Sequence, residues 1–152
     1  MNLSTLLGRR LKDAAILDVL ERCGIEKVVY DFDRLHEGTP DVYWASSQTN
    51  GFSLRFDATQ TCDVVFCYVV PAEGFDAVDP SWVGVAIFAS YDEAERRCRE
   101  GGLSFSVAGP AMAGRWLLVD AGATKIHYEL RDGELALITL FAEPSVDEEE
   151  VQ

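Results

Sequence analysis

The residue types best suited to chemistry in this sequence are acids interleaved with aromatic side chains in one long loop, 71–83. Its acidic and aromatic members are Glu73, Phe75, Asp76, Asp79 and Trp82. An aromatic side chain offers apolar area that a partner can bury, and adjacent carboxylates attract and pair with lysine or arginine. The loop therefore predicts a binding surface for a basic protein. The alternative is that Phe75 and Trp82 fold back to cover the sheet.

A second acidic segment surrounds Phe32 and Leu35. Its carboxylates are Asp31, Asp33, Glu37 and Asp41. Alternating acids could supply oxygen ligands to a metal ion, but the ligand spacing of an EF-hand loop is absent. We therefore predict no metal site, and we expect Asp31 and Asp33 to extend the surface that binds a partner.

The sequence contains little that could support catalysis. His36 and His127 are the only histidines, and neither belongs to a recognisable serine or cysteine motif. The nucleotide-binding signatures GxGxxG and GxxxxGK and the zinc-protease signature HExxH are missing. The four cysteines form no CxxC pair, so we interpret them as free thiols packed as small apolar side chains. We expect no enzymatic activity, no catalytic residues and no cofactor.

Charge narrows the classes of partner. The 152-residue chain has 26 Asp and Glu against 13 Lys and Arg, a formal net charge of −13. Nucleic acids and anionic membranes require a basic surface, so neither is expected as a partner. No apolar run reaches the ~18 residues of a transmembrane helix, and the first ten residues lack the charged-then-apolar order of a signal peptide. These features predict a cytoplasmic protein.

Hydrophobic periodicity predicts two helices and several strands in a single domain that covers residues 1–142. Helical spacing of apolar residues indicates a helix at 13–23, and a capping box from Ser90 to Glu93 begins another at 91–100. Period-two alternation and turn signals at Asn50-Gly51 and Asp132-Gly133 indicate strands. Residues 143–152 hold five acids and no base, and this segment is expected to be an acidic disordered tail.

The two halves of the chain have similar strand spacing, which suggests an internal repeat. With a shift of 72 positions, Trp44 aligns with Trp116, Leu54 with Ile126 and Phe66 with Ile138. We therefore predict an α+β fold of two helix-plus-three-strand repeats, at about 13–70 and 84–141. One repeat can hardly bury its apolar face alone, so the two should form one largely antiparallel sheet with helices on one face. Six side chains should then point toward the helices: Leu54, Phe56, Phe66, Ile126, Tyr128 and Ile138.

This arrangement resembles the tandem-repeat α+β fold of the β-lactamase-inhibitor-like proteins. Members of that group often carry a disulfide in each repeat, and their lipoprotein relatives carry a lipidated cysteine near the start; this chain has neither pattern. The strand segments 51–57, 64–68, 126–130 and 137–140 are also similar to small cytoplasmic immunity proteins of bacterial toxin systems. These resemblances imply a protein that inhibits another protein by binding it.

The acidic charge, the lack of catalytic motifs and the resemblance predict a non-enzymatic cytoplasmic protein. It would neutralise a cognate basic toxin by occluding its active site, and complementary charge would speed association. One alternative is a small ligand-binding domain or enzyme with a pocket between sheet and helices, using His127, Glu129 or Asp57. Another is an adaptor or chaperone for a secreted protein. If the loop is not the binding surface, the open sheet face around Arg55, His127 and Glu129 is the next candidate.

Overall fold

The computed structural model describes residues 1–32, 35–108 and 115–142, in which eight strands form one antiparallel sheet. The strands are β1 Val29–Asp31, β2 Val42–Ser47, β3 Phe52–Phe56, β4 Cys62–Tyr68, β5 Ser104–Ala108, β6 Arg115–Ala121, β7 Thr124–Arg131 and β8 Glu134–Ala142. Their order across the sheet is β1-β2-β3-β4-β8-β7-β6-β5. Each half is a four-stranded meander, and antiparallel pairing of β4 with β8 joins the two halves.

Three short α-helices accompany the sheet: α1 Ala14–Arg22, α2 Pro80–Val83 and α3 Tyr91–Glu100. Asp13 accepts a hydrogen bond from the Ala15 amide at 3.0 Å, and Ser90 accepts one from the Glu93 amide at 3.2 Å. These caps satisfy first-turn amides that have no partner within the helix, as the sequence predicts for both positions. Within the described ranges, none of the helices combines the length and the hydrophobicity that spanning a bilayer demands.

One face of the sheet forms the hydrophobic core together with the helices. Strand register aligns a row of buried side chains across this face: Ala45, Leu54, Val65, Leu140, Ile126 and Val119. Ile16 of α1 and Cys98 of α3 belong to the same buried cluster. Each large apolar side chain buried in this way contributes roughly 1.5–3 kcal/mol to stability, so this face accounts for most of what holds the fold together.

The opposite face, which we name the open face, carries no helix in the part of the chain that the structure describes. The buried residues of the described helices all belong to the core cluster. The central row of the open face is Ser53, Phe66, Thr139, His127 and Leu118. All of these except Ser53 remain partly exposed, so this side of the sheet is accessible to a partner.

The predicted fold of two helix-plus-three-strand repeats is wrong. The structure is mainly one eight-stranded antiparallel sheet, and its helices are few and short. The prediction counted three strands in each half and so left out β1 and β5, which lie at the two edges of the sheet. An edge strand is supported by a single neighbour and need not show a clear apolar alternation. The predicted tail at 143–152 lies outside the described residues.

The alignment of Phe66 with Ile138 also fails. Phe66 lies on the open face, whereas Ile138 is buried in the core. The hairpin of β3 and β4 has a five-residue connection, 57–61, and the hairpin of β7 and β8 has a two-residue turn, 132–133. Turn length sets strand register, and a shift of one residue turns a side chain to the other face. Equal spacing in the two halves therefore does not produce equal orientation.

Candidate functional site

The open face contains a shallow aromatic groove over β2, β3 and β4. The groove has an empty volume of about 470 Å³ and is lined by Trp44, Ser46, Ser53, Phe66, Tyr68 and Phe75. The rings of Trp44 and Phe66 stack with a centroid distance of 5.9 Å and an interplanar angle of 29°. The hydroxyls of Ser46 and Ser53 lie 2.7 Å apart and share a hydrogen bond. The groove thus combines an aromatic floor with a pair of hydroxyl groups.

Backbone hydrogen bonds attach the loop 71–79 to the sheet and bring Phe75 to the groove. Ala72 and Phe75 exchange two backbone hydrogen bonds of 2.8 and 3.1 Å, which close a tight turn. The Asp76 amide then donates to the Gln48 carbonyl at 2.8 Å, and the Val78 amide donates to the Tyr68 carbonyl at 2.7 Å. The loop is therefore closed by its own turn before Phe75 and anchored to the sheet directly after it.

Gly51 allows the loop to pass so close to the sheet. Its φ is +71°, and a Cβ atom there would overlap the carbonyl oxygen of Asp76 and the amide nitrogen of Val78. Only glycine adopts this backbone conformation without a steric penalty and also leaves the required space. The Asn50-Gly51 turn signal in the sequence thus marks both the β2–β3 hairpin and the point where the acidic loop crosses it.

Tyr68 connects the aromatic groove to the acidic side of the loop. Its hydroxyl donates a hydrogen bond to Glu73 at 3.1 Å, and its ring stacks on Phe75. Burial, followed by the hydrogen bond to Glu73, raises the pKa of Tyr68, so the hydroxyl keeps its proton and remains a donor. Glu73 also lies 3.9 Å from Arg131, which contacts Glu129 at 2.8 Å.

Two basic side chains on the open face are paired with carboxylates. Arg55 donates two hydrogen bonds to Asp63, at 2.8 and 3.1 Å. Lys125 lies 2.7 Å from Asp120. The hydrogen bond from Lys125 lowers the pKa of Asp120, which keeps that carboxylate ionised. Each pair neutralises its own charge, so neither adds a net positive charge to the face.

His127 occupies the middle of the open face beside Trp116. The two rings have a centroid distance of 5.4 Å and an interplanar angle of 32°. Burial lowers the pKa of His127, and the nearby Glu129 only partly opposes this effect. The imidazole is therefore neutral at pH 7 and adds to the uncharged area of the face.

The structure divides the residues that the sequence singled out for partner binding. Glu73 and Phe75 lie at the groove, and Asp76 is exposed on the same loop. Asp31 is exposed on the edge strand β1, and Asp33 lies outside the described residues.

Trp82 and Asp79 have structural contacts of their own. The Trp82 ring is partly buried against the core, with its edge toward Phe52 at a centroid distance of 6.5 Å. Asp79 caps α2 by accepting hydrogen bonds from the amide and the hydroxyl of Ser81 at 3.0 and 2.8 Å. Both residues therefore have structural roles, and neither lines the groove.

The sequence did not assign Phe66 or Tyr68 to a binding surface, and it assigned Trp44 to one only on the alternative of an open sheet face. All three side chains lie on the open face, because each residue pairs across the sheet with another residue of that face. This placement can be known only from the strand register, because the sequence of β4 is apolar on both faces.

The polar residues considered for an alternative ligand pocket lie apart from the core side of the sheet. His127 and Glu129 alternate onto the open face of β7. One carboxylate oxygen of Asp57 accepts hydrogen bonds from the amides of Thr59 and Thr61, at 2.9 and 3.1 Å, and so organises the β3–β4 turn. Among the described residues, no three His, Cys, Asp or Glu side chains are grouped so that they could hold a metal ion.

No family model, no curated protein sequence and no solved structure matches this chain. The resemblance to β-lactamase-inhibitor-like proteins and to immunity proteins therefore stays a prediction from the sequence.

Proposed function

We propose that this chain is a non-enzymatic protein that neutralises a basic toxin by covering the toxin's active site with its open face. The observation that carries the proposal is the aromatic groove beside an acidic loop, on a sheet face that no helix of the described residues covers. A cytoplasmic location fits this role, because such a protein must meet its toxin where the toxin acts.

The aromatic groove supports binding of a protein surface. Phe66 and Trp44 of the sheet and Phe75 of the anchored loop are partly exposed and line the same groove. Aromatic side chains that are already fixed lose little conformational entropy on binding, and they are common among residues that dominate binding energy. The groove is shallow, so it fits a protruding side chain of a partner better than it fits an enclosed small molecule.

The charge of the chain supports a basic partner. The net charge is −13, and Glu73 and Asp76 are exposed next to the groove. A basic active-site cleft would be attracted by this field, and electrostatic steering can raise association rates by one to three orders of magnitude. Rapid association matters for an inhibitor that must act before its target damages the cell.

The experiment is co-expression of this chain with the product of the adjacent gene. We expect that product alone to arrest growth, this chain to restore growth, and the two proteins to purify together. Harmless expression of the neighbour, or arrest that this chain does not relieve, contradicts the proposal.

Matched variants then test whether the open face is the binding surface. Phe66→Lys places a charge in the groove and should abolish protection. Leu17→Lys is the control, because Leu17 is a 50%-exposed apolar residue of α1 and its side chain is outside the groove lining. Equal protection by both variants would show that the open face is not used.

A further inference from the structure

The edge strand β1 is an unusually apolar part of the surface. β1 is the first strand in the sheet order and pairs only with β2 in the described structure. Val29 is 51% exposed and Tyr30 is 44% exposed. An exposed apolar edge presents unpaired backbone N–H and C=O groups, which are a template for another strand.

Aromatic contacts hold this edge in an extended form. The Tyr30 ring stacks on Tyr43 of β2 at 4.8 Å and on Phe32 at 5.6 Å between centroids. The Tyr30 hydroxyl donates a hydrogen bond to Asp41 at 2.7 Å. A strand that is already ordered loses less entropy when it pairs with a partner, so the edge is prepared for pairing.

The sequence of the edge is complementary to itself. Residues 27–31, which are β1 and the two residues that precede it, read Lys-Val-Val-Tyr-Asp. When two copies run antiparallel and Val29 faces Val29, Lys27 of each copy lies opposite Asp31 of the other. In the same register Val28 lies opposite Tyr30. Opposite charges and apolar pairs that face each other across strands stabilise a sheet.

We propose that two copies of this chain associate about Val29 through antiparallel pairing of residues 27–31, which are β1 and the two residues before it. The local two-fold axis of an antiparallel pair is perpendicular to the sheet, so both open faces lie on the same side. The dimer is one continuous sheet with two joined open faces.

The other edge of the sheet offers no equivalent pairing. β5 contains Ser104, Phe105, Ser106, Val107 and Ala108, and none of these carries a charge. A partner strand with the composition of β5 would leave Lys27 and Asp31 without opposite charges. Self-pairing of residues 27–31 places each Lys27 opposite one Asp31, so the symmetric interface contains two such charge pairs.

Sedimentation equilibrium of the full chain tests the proposal, from about 1 µM to about 1 mM because a short edge makes a weak interface. The parent chain should form a reversible dimer. Lys27→Asp and Asp31→Lys should each weaken the dimer about tenfold, because each places like charges opposite one another at two points. The double variant restores opposite charges and should return the dissociation constant to within about twofold of the parent.

These variants separate strand pairing from general charge repulsion. Lys27→Asp makes the −13 chain more negative by two charges, and Asp31→Lys makes it less negative by two. Repulsion between whole chains would therefore weaken one dimer and strengthen the other. Self-pairing instead predicts that both single variants weaken it. Lys12→Asp and Glu21→Lys make the same charge changes at exposed positions on or near α1 and serve as controls.

Three results would overturn the proposal: a parent chain that stays monomeric at about 1 mM, single variants that follow net charge, or a double variant that fails to recover. All four positions are exposed, so unchanged thermal unfolding should show that the variants still fold. The measurement needs no toxin, so its outcome is independent of the proposed inhibitory function.

Discussion

The ring of Phe75 lies flat against the ring of Tyr68, with centroids 4.3 Å apart and an interplanar angle of 8°. Phe75 belongs to the acidic loop and Tyr68 to β4 on the open face. The loop and the open face, which the sequence presented as alternative binding surfaces, are therefore neighbouring parts of one surface. A partner that binds either of them meets the other.

If the chain binds a toxin as proposed, replacing Phe75 with alanine should speed dissociation of that toxin. If Phe75 anchors the interface, its loss costs roughly 2 kcal/mol of binding free energy, almost all of it in the dissociation rate. Surface plasmon resonance with the toxin identified by co-expression measures this. Asp76→Lys is the paired variant, because an exposed charge at the rim should slow association and leave dissociation nearly unchanged. The same kinetic profile in both variants would contradict the distinction between anchor and rim.

Replacing Gly51 with alanine should destabilise the fold by about 2–5 kcal/mol, because the new methyl group meets the loop backbone and the positive φ adds strain. Urea unfolding of the two proteins measures the difference. Gly122→Ala is the control: Gly122 has a φ of +86° but nothing within 4 Å of an added Cβ atom. It should cost only about 1–2 kcal/mol. Equal losses would mean that close approach of the loop is not what requires glycine at position 51.

The four cysteines should differ sharply in reactivity. None is in a disulfide, and only Cys23 is not buried. Burial raises the pKa of Cys62 to about 12 and the pKa of Cys67 to about 12. Very little thiolate forms at pH 8 in either case, so iodoacetamide should label Cys23 first.

Mass spectrometry of the labelled native chain locates the adduct, and labelling in guanidinium should modify all four thiols. Reducing agent should leave the melting temperature unchanged. Early modification of Cys62, or a melting temperature that falls by several degrees on reduction, would contradict the described packing.

His127 should make the chain less stable as the pH falls. Burial places its pKa in the folded chain below the ordinary value of about 6.5. The unfolded chain therefore takes up the proton first, and stability decreases as the pH drops through about 6.5. Urea unfolding at about pH 7.5 and about pH 5.5 should show a larger loss for the parent than for His127→Gln. Equal losses of unfolding free energy in the parent and in His127→Gln would mean that the imidazole is not desolvated.

Local signals in the sequence predicted local structure well. The capping box at Ser90 fixed the start of α3, and Gly101 followed its last residue, Glu100, so the predicted bounds match. Asp132-Gly133 marked the β7–β8 turn, and both residues have positive φ, as a two-residue hairpin turn requires. Each of these features depends on a few adjacent residues, which is why a single sequence could reveal them.

Features that depend on distant residues were not predictable in the same way. β4 is apolar on both sides, so its sequence did not reveal that Phe66 faces outward while Val65 faces the core. The contact of Phe75 with Tyr68 depends on the path of a loop, and the path depends on Gly51. The candidate site depends on such contacts between distant residues, so its aromatic floor could be identified only from the structure.

The seam between β4 and β8 also has a consequence for synthesis of the protein. β4 ends at Tyr68 and its partner begins at Glu134, 66 positions later. At ~5–20 residues per second, a ribosome needs roughly 3–13 s to make the intervening chain. During that time β4, a strand rich in Val, Phe, Cys and Tyr, has no partner along the edge that β8 will later pair with. Chains released before β8 should aggregate, and a pause in translation within the second half should have the same effect.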